Sequence, residues 1–292
     1  MELRQFGFTG LKVSALGFGA GHIGDYQSDE KSIEKLLNTA ADLGVNLFDT
    51  ARGYGASEER IGRFLSHRRN EIILSTKVGY DIPGYENWTY DCVIAGVDSA
   101  LKNLQTSYID IVHLHSCSSD ILRNNGVIDA LEKAKEEGKI KVTAYSGENE
   151  NLSYALETGR MGSIQTSINI ADQRNLDSLL PRAKVKGLGV IAKRPAANTA
   201  WKHKDIPAGM YAEEYWHRLK RMNLHHELDF QDSALRFAAY TWGVDSVIVG
   251  TNNIKHLKEN VKMIEKGPLS YDLYYEIRNA FKQNDINWIG QL

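Results

Sequence analysis

The chain has 292 residues, of which 25% are charged and 42% are hydrophobic, and its formal net charge is −2. This composition is ordinary for a globular protein, and the near-zero charge argues against a basic surface for nucleic acid. No apolar run approaches the roughly 20 residues of a membrane helix, the opening residues lack the apolar core of a signal peptide, and two cysteines, Cys92 and Cys117, are too few for a disulfide framework. We therefore expect a cytoplasmic protein with neither a membrane nor a nucleic-acid partner; the oligomeric state stays open.

Strand and helix signals alternate along the whole chain. After a predicted hairpin over residues 3–11, short apolar runs predict eight strands, over residues 13–19, 46–50, 71–77, 109–115, 141–147, 163–169, 188–194 and 246–251. Apolar residues at helical spacing predict a helix after each strand, over residues 28–44, 57–67, 91–104, 126–137, 149–158, 172–186, 232–242 and 254–266, with a further amphipathic segment over 271–283. Pro181 lies inside one of these helices and predicts a kink or break there.

This alternation predicts an α/β fold, a (β/α)8 TIM barrel with a short N-terminal hairpin, formed by residues 1–292 as a single domain. Alternating strands and helices build a parallel sheet, and about 250 residues is a typical length for eight such units. The alternative is an open Rossmann-type sheet, but no G-x-G-x-x-G sequence follows the first strand. The connection over residues 195–230 is long and rich in tryptophan, tyrosine and histidine, which favours a functional loop.

Three consecutive predicted strands end on polar residues of catalytic type. Asp49, Lys77 and His115 close the second, third and fourth strands, and Tyr54 lies in the glycine-rich loop after Asp49. Each residue taken singly is better explained as a turn cap, a solvated cation or a core histidine. In a barrel, however, active-site groups lie at the carboxyl ends of the strands, so their coincidence on one rim indicates a catalytic site.

These four groups together suit proton donation to a carbonyl oxygen. A phenol is a weak acid at neutral pH, and an adjacent ammonium ion stabilises its phenolate. A carboxylate beside the lysine keeps the ammonium charged, and an imidazole can hydrogen-bond the substrate oxygen. A carbonyl that gains a proton on oxygen also needs a hydride on carbon. Protein side chains supply no hydride, so a nicotinamide cofactor is implied.

Several motifs are similar to those of the aldo-keto reductases over nearly the whole chain. The stretch NLFDTARGYGASEERIG at residues 46–62 is highly specific, and further motifs agree with it in order and spacing, namely LGFGAG (16–21), STK (75–77), IDIVHLH (109–115), SIQTSIN (163–169) and VGTNNIKHLKENV (249–261). The resemblance implies a (β/α)8 barrel that interconverts carbonyls and alcohols with NAD(P)(H). It implies that Tyr54 is the proton donor and that Lys77 and Asp49 tune it. By the same resemblance, His115 orients the carbonyl.

The resemblance also implies cofactor contacts at several strand ends and at the start of the eighth helix. Ser146 and Gln165 match positions that hold the nicotinamide carboxamide, and Lys193 stands where an aromatic ring often stacks on nicotinamide. The implied cofactor-binding residues are Ala20, Gly21, Asp49, Ser146, Gln165, Lys193, Arg194, Gly250, Thr251, Asn252, His256, Glu259 and Asn260. Residues 250–252 precede a helix whose N-terminus offers free N–H groups to a phosphate.

NADPH is the favoured cofactor, with NADH as the alternative, and a small-molecule carbonyl or alcohol is the expected substrate. The arginine that commonly faces the 2′-phosphate in the family is His256 here, and a histidine is only partly charged near neutral pH. Ser116 stands where the family often has a tryptophan. Tyr80, Trp88 and Trp201 are therefore candidates for lining the substrate pocket, with simple packing as an equally weighted alternative.

Other functions fit fewer residues. His113 and His115 face the same side of their strand and, with His225 and His226, could suggest a metal site. No cysteine or carboxylate completes a recognised ligand spacing, so we expect no metal. Cys117 could be a redox thiol, although an inert cysteine is favoured. A barrel that binds the cofactor as a regulatory or sensing subunit, with little turnover, is the main alternative to an enzyme.

Overall fold

The computed structural model describes residues 1–224 and 228–291. An antiparallel hairpin of β1 (Leu3–Gln5) and β2 (Lys12–Ser14) precedes eight parallel strands. These strands are β3 (Leu16–Gly19), β4 (Leu47–Asp49), β5 (Ile73–Val78), β6 (Ile109–His115), β7 (Ile140–Ser146), β8 (Ser163–Ser167), β9 (Gly189–Lys193) and β10 (Ser246–Gly250). They pair in chain order, and β10 closes the ring against β3. The closed ring confirms the TIM-barrel prediction and excludes the open Rossmann-type sheet.

The hairpin and the first barrel strand divide the chain differently from the prediction. The sequence predicts a hairpin within residues 3–11 and a strand over 13–19, whereas the second hairpin strand is β2 and the barrel strand begins at Leu16. The chain turns between them because Ala15 N donates to Glu2 O at 3.0 Å and Ser14 Oγ donates to Leu16 O at 2.6 Å. Phe6, from the hairpin loop, is fully buried against the first residue of β9. The hairpin therefore covers the amino-terminal end of the barrel.

Helices surround the barrel. They are α1 (Glu30–Asp42), α2 (Ser57–Leu65), α3 (Tyr90–Asn103), α4 (Ser119–Asn124), α5 (Val127–Glu136), α6 (Asn149–Glu157), α7 (Arg174–Val185), α8 (Glu213–Met222), α9 (Phe230–Tyr240), α10 (Ile254–Glu265) and α11 (Tyr271–Asn284). Short 3-10 segments span Ala20–Gly24, Ser66–Glu71 and Ala197–Lys202. Across residues 1–224 and 228–291, none of the helices is long and apolar enough to cross a membrane.

The helices differ from the prediction in two respects. The sequence did not predict α4 or α8. The first has six residues, too few to show helical periodicity, and begins where Ser118 Oγ accepts from Ile121 N at 3.3 Å. The second lies inside the long connection after β9. Pro181 does not break its helix, because α7 continues from Arg174 through to Val185.

Side chains that point into the barrel change from apolar to polar along the strands. Near the hairpin they form a buried apolar cluster of Phe6, Val13, Leu47, Ile111, Val142, Ala144 and Ile191. Toward the carboxyl ends the interior carries Asp49, Ser75, Lys77, His113 and Gln165, each at most 1% exposed. Residues two apart on a strand share a face, so Leu47 and Asp49 represent successive layers. Because buried polar groups need hydrogen-bond partners, the upper layer must form a connected polar network.

Candidate active site

Asp49 and Lys77 form a buried ion pair at the ends of β4 and β5. Lys77 Nζ donates to Asp49 Oδ2 at 2.6 Å and to the Thr50 carbonyl oxygen at 2.8 Å. Asp49 Oδ1 accepts from Ser75 Oγ at 2.7 Å and from Gln165 Nε2 at 2.9 Å. Burial opposes both charges, but the attraction between them keeps the pKa of Asp49 below its ordinary value and that of Lys77 above it. Both groups are therefore charged.

Tyr54 is held beside this pair by the loop between β4 and α2. Two glycines allow the loop its path: Gly55 has a φ of 53°, and a Cβ added to Gly24 would collide with the Tyr54 carbonyl oxygen. Lys77 Nζ lies 5.2 Å from the centroid of the Tyr54 ring. The His115 ring meets the same phenol edge-on, with centroids 6.2 Å apart. The structure thus brings the four predicted catalytic residues together at one rim of the barrel.

His115 is neutral in this environment. Burial, followed by the positive charges of Lys77 and Lys193, lowers the pKa of His115 from 6.5 to about 3. Its Nδ1 lies 2.9 Å from the Tyr80 hydroxyl, and the two rings lie 5.5 Å apart at a tilt of 35°. A neutral imidazole can donate a hydrogen bond to a substrate oxygen without placing a second cation next to the lysine.

His113 is a buried support residue rather than a rim residue. Burial lowers its pKa to about 3, and its Nε2 lies 3.1 Å from Ser75 Oγ. Since Ser75 Oγ donates to Asp49, the imidazole Nε2–H donates to Ser75, and the three groups form a chain behind the ion pair. Within the described ranges no three metal-ligating side chains cluster. The other histidines of the metal alternative, His225 and His226, lie outside the described residues.

The two cysteines lie inside the fold, and Cys117 belongs to the hydrophobic core. Cys92 and Cys117 are both free thiols and both are buried. Burial raises the pKa of Cys117 to about 12. Because the thiolate is the reactive form of cysteine, this environment favours the inert reading of Cys117 over a redox role.

Two cavities meet at the catalytic residues. The catalytic cavity, of about 500 Å³, is lined by Tyr54, Lys77, Tyr80, His115, Ser116, Ser146, Gln165, Lys193, Arg194, Tyr211 and Ile248. The long cavity, of about 540 Å³, runs from Tyr54 and Asp49 to residues of α10. Five residues line both cavities: Tyr54, Lys193, Arg194, Tyr211 and Ile248. A ligand that fills the long cavity would therefore have one end beside the phenol.

Most residues implied for cofactor binding line the long cavity. They are Ala20, Gly21, Asp49, Lys193, Arg194, Gly250, Thr251, His256 and Asn260. Ser146 and Gln165 line the catalytic cavity instead, where Ser146 Oγ donates to Gln165 Oε1 at 3.0 Å. Asn252 and Glu259 line neither of these two cavities. Asn252 is exposed, and Glu259 Oε1 lies 3.9 Å from Lys255 Nζ.

The start of α10 suits a phosphate. Asn253 caps the helix, with its Oδ1 accepting from Lys255 N at 2.8 Å, and the first turn carries no acidic residue. A Cβ on Gly250 would lie 2.6 Å from the His22 ring, so a larger residue here would require that ring to move. Free N–H groups at a helix N-terminus attract anions. The donors present thus fit the phosphates of a dinucleotide in the long cavity.

The amine of Lys193 lies at the junction of the two cavities and is held by a buried carboxylate. Its Nζ lies 3.2 Å from Glu148 Oε1. Glu148 is buried and accepts from Thr166 Oγ1 at 2.6 Å and from Ser167 N at 2.8 Å. Burial lowers the pKa of Lys193, and the attraction of Glu148 opposes that shift. The position where the family often has an aromatic ring thus carries an amine paired with a buried carboxylate.

The sequence reasoning missed several residues of the long cavity. They are His22, Pro195, Ala196, Asn198, Thr199, Lys202, Tyr211 and Gln231. Most of them belong to the connection after β9, whose length and aromatic content marked the segment as functional without marking individual residues. Arg194 lies over the Tyr211 ring, with its Cζ 5.3 Å from the centroid. Lys202 adds a cation to the cavity wall that also contains His256.

Of the three aromatic residues proposed for the substrate pocket, the structure places Tyr80 in the catalytic cavity. Trp88 packs behind it, with ring centroids 5.6 Å apart. Trp201 is not brought to the site. It stacks on Phe230, with centroids 5.7 Å apart, and lines a separate cavity of about 190 Å³.

Comparison with known proteins shows the family to which this chain belongs. The model of the Aldo/keto reductase family matches residues 15–281, so the chain belongs to this family, as its motifs predicted. L-galactose dehydrogenase of Arabidopsis thaliana is 30% identical over 283 residues, covering 90% of this chain and 88% of that protein. The holo form of an aldo-keto reductase from Bacillus halodurans has a TM-score of 0.82 at 29% identity, covering 96% of each chain. A probable voltage-gated potassium channel subunit beta of Oryza sativa subsp. japonica is 28% identical over 309 residues, covering 92% of this chain and 93% of that protein.

Proposed function

We propose that this oxidoreductase interconverts a small polar carbonyl and its alcohol, with NADP(H) as cofactor and Tyr54 as the proton donor. Carbonyl–alcohol interconversion accords with the family and with the dehydrogenase among its relatives. The observation that carries the residue roles is the geometry around the phenol. A buried ammonium, itself 2.6 Å from Asp49, lies 5.2 Å from the Tyr54 ring centroid, and a neutral imidazole lies at its other side.

Each of the four side chains has a separate role in the transfer of the proton to or from the substrate oxygen. When bound, the nicotinamide supplies or accepts the hydride. In reduction, Tyr54 donates its hydroxyl proton to the carbonyl oxygen, and in oxidation its phenolate takes that proton back. The buried ammonium of Lys77 stabilises the negative charge on the phenolate oxygen. Asp49 keeps that ammonium charged and in place. His115 donates a hydrogen bond to the substrate oxygen and so orients it.

The lining of the catalytic cavity supports a polar substrate. Apart from Ile248, each of its described lining residues carries a polar side-chain atom. Such a wall can hydrogen-bond several hydroxyl groups of a substrate, and the rings of Tyr54, Tyr80 and Tyr211 add apolar contact. A short polyhydroxylated aldehyde fits this chemistry better than an alkyl or aryl ketone. The name of one relative, L-galactose dehydrogenase, is consistent with this substrate class.

The test is a substrate panel with purified protein. Hydroxylated aldehydes of three to six carbons, alkyl aldehydes and aryl aldehydes are each offered with NADPH and with NADH, and turnover is followed by the loss of nicotinamide absorbance at 340 nm. The corresponding alcohols and lactols are offered with the oxidised cofactors. We expect the hydroxylated aldehydes to give the highest kcat/KM. A panel led by aryl or alkyl aldehydes would contradict the substrate class while leaving the reaction type intact.

NADPH is the proposed cofactor because the wall of the long cavity includes a lysine and, on α10, a histidine. Lys202 and His256 line it together with Asn260. Lys255 is 80% exposed on its side chain, and neither it nor Lys258 lines the cavity. A 2′-phosphate adds negative charge that a lysine and a histidine attract less strongly than the two-pronged guanidinium of an arginine would. The proposed preference for NADPH over NADH is therefore modest.

Residues 1–292 are proposed to act as one catalytic domain in the cytoplasm, on a small molecule and without a nucleic-acid partner. The barrel strands run from Leu16 to Gly250 in one closed ring, which supports a single unit. Limited proteolysis should leave the barrel as one resistant fragment, and cell fractionation should recover it with the soluble enzymes. Recovery with membranes or nucleic acid would contradict the assignment.

The second candidate function is a cofactor-binding subunit with little turnover. A relative named as a probable channel subunit beta, 28% identical to this chain, favours keeping it. The four catalytic side chains are nonetheless assembled, and an ion pair shielded this completely is costly to maintain without a use. Cofactor binding with no turnover across the panel would select the binding role. Turnover that depends on Tyr54 would select the enzyme.

A further inference from the structure

We propose that Tyr80 is a positioning residue that holds His115 in the tautomer with its proton on Nε2. The contact is direct, because the Tyr80 hydroxyl lies 2.9 Å from His115 Nδ1. In that tautomer Nδ1 accepts from the phenol, and Nε2–H is left to donate to the oxygen of the substrate. The role of this donor rests on the carbonyl chemistry proposed above.

The direction of this hydrogen bond follows from the state of both groups. Burial, followed by the nearby Tyr54, raises the pKa of Tyr80, so its hydroxyl keeps its proton near neutral pH. His115 is a neutral imidazole with one bare nitrogen. A phenol is the better donor of the two and an imidazole nitrogen the better acceptor, so O–H to Nδ1 is the favoured arrangement. The opposite arrangement would leave Nε2 bare, and it would repel a carbonyl oxygen.

The backbone around Tyr80 is shaped to hold its ring in place. Gly79 has a φ of 127°, and a Cβ there would collide with the Trp88 ring. Trp88 itself has a φ of 62°, and its N–H donates to the Gly79 carbonyl at 2.6 Å. Non-glycine residues rarely adopt a positive φ, which costs free energy that the surrounding contacts must offset. The Trp88 ring in turn packs behind Tyr80.

The opposite side of the hydroxyl is closed by Gly53. A Cβ on this glycine would lie 2.5 Å from the Tyr80 oxygen, so a larger residue would displace the phenol from His115. Gly53 precedes Tyr54 in the loop after β4, while Tyr80 follows Lys77 in the loop after β5. The loops after β4 and β5, which follow the strands of Asp49 and Lys77, therefore also hold the Tyr80 hydroxyl in place against His115. This shared construction points to a role in catalysis beyond filling the cavity wall.

The test compares Tyr80→Phe with a matched control, Tyr85→Phe. Tyr85 lies in the same loop, but it is 47% exposed and lines a separate groove that contains none of the four proposed catalytic residues. The first readout is the pair of ¹⁵N ring shifts of His115 in labelled protein, assigned by their loss in His115→Gln. The second is kcat and KM with the best aldehyde, and the third is the dissociation constant of NADPH.

We expect Tyr80→Phe to keep its ring packing and to lose the fixed tautomer. The ¹⁵N shifts of His115 should move from the Nε2–H pattern toward a mixture, and kcat should fall roughly tenfold, the worth of one neutral hydrogen bond. The NADPH dissociation constant and the thermal midpoint should change little, and Tyr85→Phe should match the wild type in every readout.

Two results would overturn the proposal. One is an unchanged His115 tautomer in Tyr80→Phe, whatever the rate does, because the phenol would then not hold the imidazole. The other is a changed tautomer with unchanged kcat, because the tautomer would then not matter to the reaction. The shifts are measured without substrate, so they still judge the contact if no carbonyl turns over, a result that would refute the proposed function instead.

Discussion

Replacing Lys77 with methionine removes the tuning charge while keeping a side chain of similar length. Lys77 Nζ lies 5.2 Å from the centroid of the Tyr54 ring. With the ring centroid taken as the position of the phenolate charge, opposite unit charges at an effective dielectric constant of about 20 attract by roughly 3 kcal/mol. If the phenolate carries most of that charge in the transition state, the loss corresponds to about two orders of magnitude in rate. We therefore expect kcat of Lys77→Met to fall about 100-fold.

The same substitution also disturbs the fold, and this effect has to be separated from the catalytic one. Asp49 is 1% exposed and would lose its cation. Removing one partner of a buried ion pair typically costs about 3–5 kcal/mol of unfolding free energy. Adding Asp49→Asn removes the stranded charge and keeps the acceptor for Ser75 and Gln165. The double variant should recover much of the stability and none of the lost rate.

The assay measures turnover at 340 nm under saturating NADPH for the wild type, both single variants and the double variant. Urea unfolding of the same four proteins gives their free energies of unfolding. The expected pattern is a low rate in each protein that lacks Lys77, with low stability in both single variants, since each leaves one buried charge without its partner. If the double variant returned to within about threefold of the wild-type rate, the ammonium would serve the fold and not the phenolate.

Three further outcomes are expected. Tyr54→Phe should lower kcat by about 10²–10⁴-fold with unchanged NADPH affinity by calorimetry; near-normal turnover would show that another group donates the proton. Lys202→Met should weaken NADPH and His256→Arg should tighten it, both with little effect on NADH by fluorescence titration, and equal shifts for the two cofactors would refute contact with the 2′-phosphate. His113 and His115 have folded pKa values of about 3 against an ordinary 6.5, so below pH 6.5 the unfolded chain binds protons that the folded chain does not. The free energy of unfolding should be full above pH 6.5 and fall by about 1.4 kcal/mol per pH unit for each histidine as the pH drops toward 3. In urea unfolding at pH 7, 6 and 5, this free energy should fall less steeply with pH in His113→Gln than in the wild type. Identical slopes for the two proteins would contradict the burial of His113 as a neutral group.

The sequence alone determined the barrel and the rim on which the proposed catalytic residues lie. Both follow from local patterns, since short apolar runs alternate with helical periodicity eight times. Parallel strands place their carboxyl ends together, so Asp49, Lys77 and His115 had to share one end of the sheet. The structure agrees on these strands to within a few residues at each boundary. The start of α10 beside Gly250 was predictable for the same reason.

Only the tertiary structure decided the contacts between segments that lie far apart in the chain. The hydrogen bond from Tyr80 to His115 spans 35 residues, and Lys202 and His256 line the same cavity although more than fifty positions separate them. No local pattern sets such distances, because they depend on how loops with positive φ values fold back over the barrel. Trp201 shows the same limit from the other side. Its aromatic ring suggested a pocket residue, yet a stacking partner, Phe230, holds it away from the site.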